Sequence, residues 1–386
     1  MDNLTHSLTG LVVAKAGIER LSPAATTVCV ITANAPDLDG LILLTSGRWT
    51  YLQHHRGITH SIIGTLVLIL LVPSLFYAGE LALAHIRKRA GHMRYGRLLL
   101  ASSIAGATHP LMDWTNNYGV RLLLPWSGKW FYGDLVFIID PLLWIILGGA
   151  GFVLTSRSKG QSVFWAALAL ILTAAVLFIP QQREAFPHRT VFRIMWGLIL
   201  ISFFLARRAR LGDRLQSSLA LGAIATVVLY WGALGIAHHR AYGRALAVAN
   251  QIAMLRGESI VQVAAMPTLA DPFHWQCISD TDRAIYRFNA SIIGGPPSLV
   301  DVERFEKPKP GEQAAIAAAA QDDRARVLLG FARFPMARVK DLDCAGQTVV
   351  QFADLRYTEP GGARRGVFAL DVEIACPAAT KKVEPK

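Results

Sequence analysis

This sequence is short of charge. Only 17% of its 386 residues are Asp, Glu, Lys or Arg, against roughly 25% in an average soluble domain, while 53% are hydrophobic. That balance excludes a disordered chain and argues against an ordinary soluble enzyme. Cysteine is scarce as well, and the four present are too few for a disulfide scaffold. Acidic residues are rarest where the chain is most apolar. Residues 1–240 hold 10 Asp+Glu against 21 Lys+Arg, an excess of +11, whereas residues 241–386 hold 17 against 18. A net charge of +12 spread over a soluble domain would suggest nucleic acid. Concentrated in the greasy part, it is instead the pattern of membrane-protein loops, and no direct nucleic-acid binding is expected. Met1-Asp2-Asn3 is not a basic leader and no cleavage site follows, so no signal peptide is expected.

A spanning helix needs about 20 mostly apolar residues, because lipid cannot satisfy open backbone groups. Stretches 61–84, 135–155, 162–179 and 217–237 qualify. Stretch 191–205, interrupted by Arg193, and stretch 98–112, which holds His109, are shorter. Stretches 4–14 and 24–44 are weak, the second broken by Asn34-Ala35-Pro36-Asp37-Leu38-Asp39. The expected fold is an α-helical multi-pass membrane domain of about six to eight helices, followed by a small α+β soluble domain. The boundaries are 1–240 for the membrane domain, 241–378 for the soluble domain and 379–386 for a disordered Lys-rich tail.

Basic loops at 87–97, 157–159 and 207–214 fall on one face, which the loop-charge rule makes cytoplasmic. The soluble domain is then periplasmic, where Cys344 and Cys376 could pair. Within it, the pattern predicts a helix over 242–255, strands over 260–264, 284–293, 348–352 and 367–374, and an Ala-rich helix over 312–329.

The few ionisable residues of the apolar half are informative. Ten of the eleven histidines lie there, and Asp37, Asp39, Asp113, Asp134 and Asp140 sit in or beside apolar segments. Such groups are costly at bilayer depth and usually have partners and a task. Four clusters stand out: His6; Pro36-Asp37-Leu38-Asp39; His54-His55-Arg56-Gly57-Ile58-Thr59-His60-Ser61; and His109-Pro110-Leu111-Met112-Asp113. His109 and Asp113 are four apart, so a helix stacks them on one face. Pro110 suits a first helical turn, with His109 near the N-cap.

Imidazole and carboxylate ligands without cysteine suit a divalent metal, zinc first, with manganese or iron as alternatives. The candidate ligands are His6, Asp37, Asp39, His55, His60, His109 and Asp113, enough for one or two ions. One aspartate, Asp39, is a candidate general base, and Arg56 is a candidate clamp on an anionic oxygen. Thr59 and Ser61 could orient the histidines. Taken singly, each cluster has a plainer reading. Asp-Leu-Asp after proline is a common turn device, His-His-Arg-Gly suits a lipid-facing basic loop, and Asp134 and Asp140 are ambiguous.

The ordered set His6, Pro36-Asp37-x-Asp39, His55-Arg56-Gly57-x-Thr59-His60-Ser61 and His109-x-x-x-Asp113 resembles the YdjM family of membrane-bound, metal-dependent hydrolases, over residues 1–155. Met266-Pro267-Thr268 and Asp354-Leu355-Arg356-Tyr357 resemble the extension of its longer members. The resemblance implies a hydrolase of the bacterial inner membrane, and members are also described as LexA-binding. A more distant likeness is to zinc-dependent phospholipase C, although the chain lacks a counterpart of that group's late His-x-x-x-Glu pair. The resulting expectation is a metal-dependent hydrolase acting on a phosphoester such as a lipid head group. The rival is a non-enzymatic membrane scaffold or regulator whose polar clusters hold helices together or bind a protein partner.

Overall fold

The computed structural model describes residues 1–178, 189–295, 299–340, 347–361 and 368–375. The expected 379–386 tail and the Cys344–Cys376 pair lie outside the described residues. The chain divides into two units, one made of Met1–Asp39, Arg56–His239 and Met266–His274, the other of Gly40–His55, Arg240–Ala265 and Trp275–Lys386.

The helices are α1 (Asn3–Lys15), α2 (Ala25–Asn34), α3 (Leu43–His54), α4 (Ile62–Ile86), α5 (Tyr95–Trp114), α6 (Pro141–Thr155), α7 (Lys159–Phe178), α8 (Arg189–Arg208), α9 (Leu211–Leu215) and α10 (Ser217–Arg256). Among the described residues, five helical segments are long and apolar enough to cross a membrane: Ala25–His54, Ile62–Ile86, Lys159–Phe178, Thr190–Arg208 and Ser217–Arg256. The stretch expected over 135–155 is shorter than predicted. Asp140 caps α6 by accepting from Leu142 N at 2.8 Å, with Pro141 at its first position, so only 15 residues are helical. Pro110 does not open a helix as expected. It lies inside α5, where it leaves the carbonyl of Gly106 without its usual helical donor.

In the first unit, α5 packs against α1, α2 and α4, and α1 against α6. Small residues set these contacts. Ala14, Ala25, Cys29, Ala33, Ala101 and Ala105 are fully or almost fully buried together, which lets the backbones approach closely. A second apolar cluster joins Leu8, Val12 and Met112 to Leu143, Leu147 and Val227. Polar side chains bridge the helices: Thr32 Oγ1 and Ser102 Oγ are 3.0 Å apart, and Ser102 donates to the Ile69 carbonyl at 2.8 Å.

Residues 217–237 and 242–255, expected as separate helices, belong to one 40-residue α10. No proline interrupts it, and at 1.5 Å per residue it is about 60 Å long, roughly twice the hydrocarbon core.

The C-terminal part is α+β. Strands β1 (Ile260–Thr268), β2 (Asp271–Thr281), β3 (Ala284–Ser291) and β4 (Glu303–Glu306) form one sheet in that order. Strands β5 (Pro335–Lys340), β6 (Gln347–Asp354) and β7 (Ala369–Ala375) form an antiparallel second sheet, with Met336 opposite Ala353 and Val350 opposite Val372. The predicted 312–329 helix is two helices, α11 (Gln313–Ala319) and α12 (Asp323–Phe331), because Asp322 caps the second by accepting from Arg324 N. Both pack on β6 and β7.

Candidate metal centre

Three elements of the first unit bring carboxylates and imidazoles to one place. Asp37 comes from the tight Ala35–Ile42 turn after α2, His60 from the Ile58–His60 turn before α4, and His109 and Asp113 from successive turns of α5. One ligand atom from each of these four residues lies within 4.8 Å of the others, an arrangement that could hold a metal ion. His60 Nε2 is 3.1 Å from Asp37 Oδ1 and 3.3 Å from Asp113 Oδ2. His109 Nε2 is 3.4 Å from Asp113 Oδ2 and 3.7 Å from Asp37 Oδ1. His60, His109 and Asp113 are fully buried.

The local backbone makes this possible. Ser61 caps α4 by accepting from Gly64 N, which turns the chain sharply after His60. A Cβ on Gly64 would lie 1.8 Å from the Ile58 carbonyl oxygen, so only glycine lets the 58–60 turn fold onto the first turn of α4.

The ring orientations are set from behind. His109 Nδ1 is 2.7 Å from the Ala33 carbonyl oxygen, which accepts only from the Nδ1–H form and leaves Nε2 as a lone pair facing Asp113. His60 Nδ1 is 3.1 Å from Asp39 Oδ2, and that oxygen also accepts from Thr59 Oγ1 and Arg56 N, each at 3.0 Å. Burial alone would lower the His60 pKa, but the carboxylates of Asp37, Asp39 and Asp113 hold it above the ordinary value.

The donor set is one that could hold an ion. Oδ2 of Asp37, Oδ2 of Asp113, Nε2 of His109 and both ring nitrogens of His6 are buried without a hydrogen-bond partner. Buried polar atoms left open cost about 1–3 kcal/mol each, more when charged. Several such atoms around one point fit a cation that would take their lone pairs.

The other sequence candidates are distributed around this group. His6, on α1, stacks on His109 with ring centroids 3.8 Å apart, and its Nε2 is 3.4 Å from Asp113 Oδ1. Asp39 stands behind His60. Arg56 is buried and engaged: Nη2 is 3.1 Å from Asp113 Oδ1, and Nη1 donates to Asn116 Oδ1 and the Gly119 carbonyl, both at 2.9 Å. Its guanidinium also lies 4.7 Å from the Tyr118 ring centroid. His55 belongs to the second unit, where it follows α3 and stacks on Tyr51 at 4.6 Å. Asp140 is accounted for by its cap and by the Tyr230 hydroxyl, which donates to it at 2.9 Å. Sequence reading missed Asn116, whose Oδ1 also accepts from Tyr118 N at 2.9 Å. The adjacent polar pair Asn116-Asn117, three residues past Asp113, was the signal available.

Residues 1–183, which hold every member of the cluster, match the YdjM inner membrane protein family. Over 155 residues the chain is 30% identical to the uncharacterized protein YfhP of Bacillus subtilis (strain 168). That alignment covers 38% of this chain and 43% of the relative, so the chain spans less than half of the protein it matches. No solved structure matches.

Proposed function

From a membrane region of YdjM type, we propose that the Asp37–His60–His109–Asp113 cluster binds a divalent metal and that the protein is a membrane-bound hydrolase. The observation that carries this reading is that ligand atoms of Asp37, His60, His109 and Asp113, from three elements, lie within 4.8 Å of one another, with His109 Nε2 and Asp113 Oδ2 buried and lacking a hydrogen-bond partner. Two imidazoles and two carboxylates without thiolate favour zinc, with manganese or iron as alternatives. Four close donors suit one ion, and His6 with its open nitrogens offers further ligation for it or for a second.

A bound divalent cation would supply Lewis acidity for hydrolysis. The chain's own residues do the rest. Ala33 fixes the His109 tautomer, Asp39 orients His60, and Arg56 holds Asp113 in place with its charge balanced. Because both its Nη groups are engaged, by Asp113, Asn116 and Gly119, Arg56 acts as a positioning residue rather than a free phosphate clamp. The substrate class that suits a cationic centre at a membrane surface is an anionic phosphoester, such as a lipid head group. The loop charges put the C-terminal domain in the periplasm, and a reporter fused to the C-terminus checks that assignment.

The test uses protein purified in detergent. Elemental analysis should find stoichiometric metal, and His109→Ala and Asp113→Asn should lose it together with any phosphodiesterase activity restored by added zinc or manganese. Metal-free protein that takes up no ion would overturn the reading and favour the scaffold alternative.

A further inference from the structure

A second feature of the first unit lies between α6, α7 and α8. A cavity of about 990 Å³ is walled by apolar side chains, among them Trp165, Leu172, Trp196 and Phe203. The two indoles have no polar need left to meet. Trp165 Nε1 donates to Thr155 Oγ1 at 2.8 Å, and Trp196 Nε1 to Thr173 Oγ1 at 3.0 Å, so both present ring surface. Gly149 makes the wall close: a Cβ there would lie 2.2 Å from the Phe203 ring.

The same cavity is lined at the α6 C-terminal end by Arg157, Lys159, Arg207, Arg208 and Arg210. Arg207 is anchored, its Nε and Nη2 donating to the Ser156 carbonyl at 2.9 and 2.7 Å. Asp213 lies 3.7 Å from Arg157 and 3.8 Å from Arg207. Lys159, Arg208 and Arg210 have no carboxylate partner among the described residues. Topology alone requires cations somewhere on the cytoplasmic face. It does not require five of them to converge on the mouth of one greasy slot.

We propose that this slot binds an anionic glycerophospholipid of the cytoplasmic leaflet, with the phosphate on Arg208, Arg210 and Lys159 and the acyl chains against Trp165, Trp196 and Phe203. A neutral lipid leaves the cations unmatched, and a free anion leaves the apolar wall empty. Only a molecule with both parts complements the whole surface, and basic pockets between spanning helices take such head groups. The site is made of residues that contribute nothing to the Asp–His cluster, so it stands or falls independently of the proposed hydrolase.

The experiment is native mass spectrometry of the full chain in detergent, titrated with phosphatidylglycerol or phosphatidylcholine in mixed micelles. The expected result is selective retention of phosphatidylglycerol. Arg208→Ala with Arg210→Ala should weaken it about twenty-five-fold, at roughly fivefold per cation near the surface. The Arg208→Lys/Arg210→Lys variant should keep most of the binding. Ala169 also lines the slot, and Ala169→Trp, which fills it without changing charge, should lower retention of phosphatidylglycerol while helix content by circular dichroism stays constant. Equal retention of both lipids, or full retention by the double alanine variant, would overturn the proposal and leave only annular lipid. Displacement of phosphatidylglycerol by millimolar inorganic phosphate, with Ala169→Trp unaffected, would overturn it in favour of a free-anion site.

Discussion

His6 of α1 and His109 of α5 lie ring on ring, centroids 3.8 Å apart and planes 17° from parallel, beside the shared neighbour Asp113. Two imidazolium ions so close would repel strongly in a buried setting. A metal ligand needs the neutral ring, so the stack is compatible with ligation only in that form.

His6→Phe separates packing from ligation. Phenylalanine keeps the stack on His109 and removes both open nitrogens. The expected outcome is a folded protein whose zinc affinity, measured against a competing chelator, falls about 10–100-fold. An unchanged affinity would assign His6 to packing alone.

Asp39 is expected to act through His60. Asp39→Ala removes the acceptor shared by His60 Nδ1, Thr59 Oγ1 and Arg56 N. Metal affinity should drop by about 10–100-fold, as for other groups that orient metal-bound histidines. Complete loss of hydrolysis with full metal occupancy would instead make Asp39 a general base.

Arg56→Met leaves Asp113 buried without its guanidinium. Breaking such a pair costs about 3–5 kcal/mol, so thermal stability in detergent should fall sharply. Arg56→Lys keeps the charge but cannot serve Asp113, Asn116 and Gly119 together, and its loss should be intermediate. Wild-type stability for the methionine variant would remove Arg56 from the centre's support.

Gly64→Ala should disrupt the site from outside it. The added methyl meets the Ile58 carbonyl, and the turn that delivers His60 must shift. Metal content should drop although no ligand has changed, whereas Gly160→Ala, where a Cβ meets nothing within 4 Å, should be silent.

The soluble part carries a pH-dependent contact. Burial tends to raise the Glu258 pKa, but hydrogen bonds from Thr281 at 2.7 Å and Tyr286 at 2.9 Å, with Arg304 nearby, hold it below the usual 4.5. A depressed folded pKa means stability that is present above the unfolded value and is lost as pH falls through the folded one. Hydrogen exchange at β3 and β4 should therefore quicken below about pH 4.5 in the wild type. In Glu258→Gln that acid-induced change should be smaller.

Long apolar runs made the membrane spans visible, since length and composition alone define a helix that lipid tolerates. The bounds were less legible. Asp140 looked like an interruption within a span but is the cap that starts α6, and Pro110 looked like a helix start but sits within α5. In the soluble domain β4 and β5 were missed because they are short and their polar and apolar residues do not alternate cleanly, and β2 was missed although Phe273, Trp275 and Cys277 alternate with His274 and Gln276. The turn at Asp322 was missed because alanine on both sides hides it.

Among the site residues, the motifs Asp37-x-Asp39, His60 and His109-x-x-x-Asp113 were readable because chemistry-bearing residues are rare in that half of the chain. Their ranking was not. Sequence made both Asp37 and Asp39 ligands and added a general-base role for Asp39, yet Asp37 belongs to the four-residue cluster while Asp39 braces His60 from behind.

What this amino-acid order decided unaided is that the chain enters the bilayer and keeps a handful of costly ionisable groups there, because solvation energy depends on residue type and run length. Which of those groups meet, and which of them merely hold the others still, was decided by the packing of α1, α2, α4 and α5. Ligation depends on ångström-scale convergence of side chains from distant positions, and no local pattern encodes that distance.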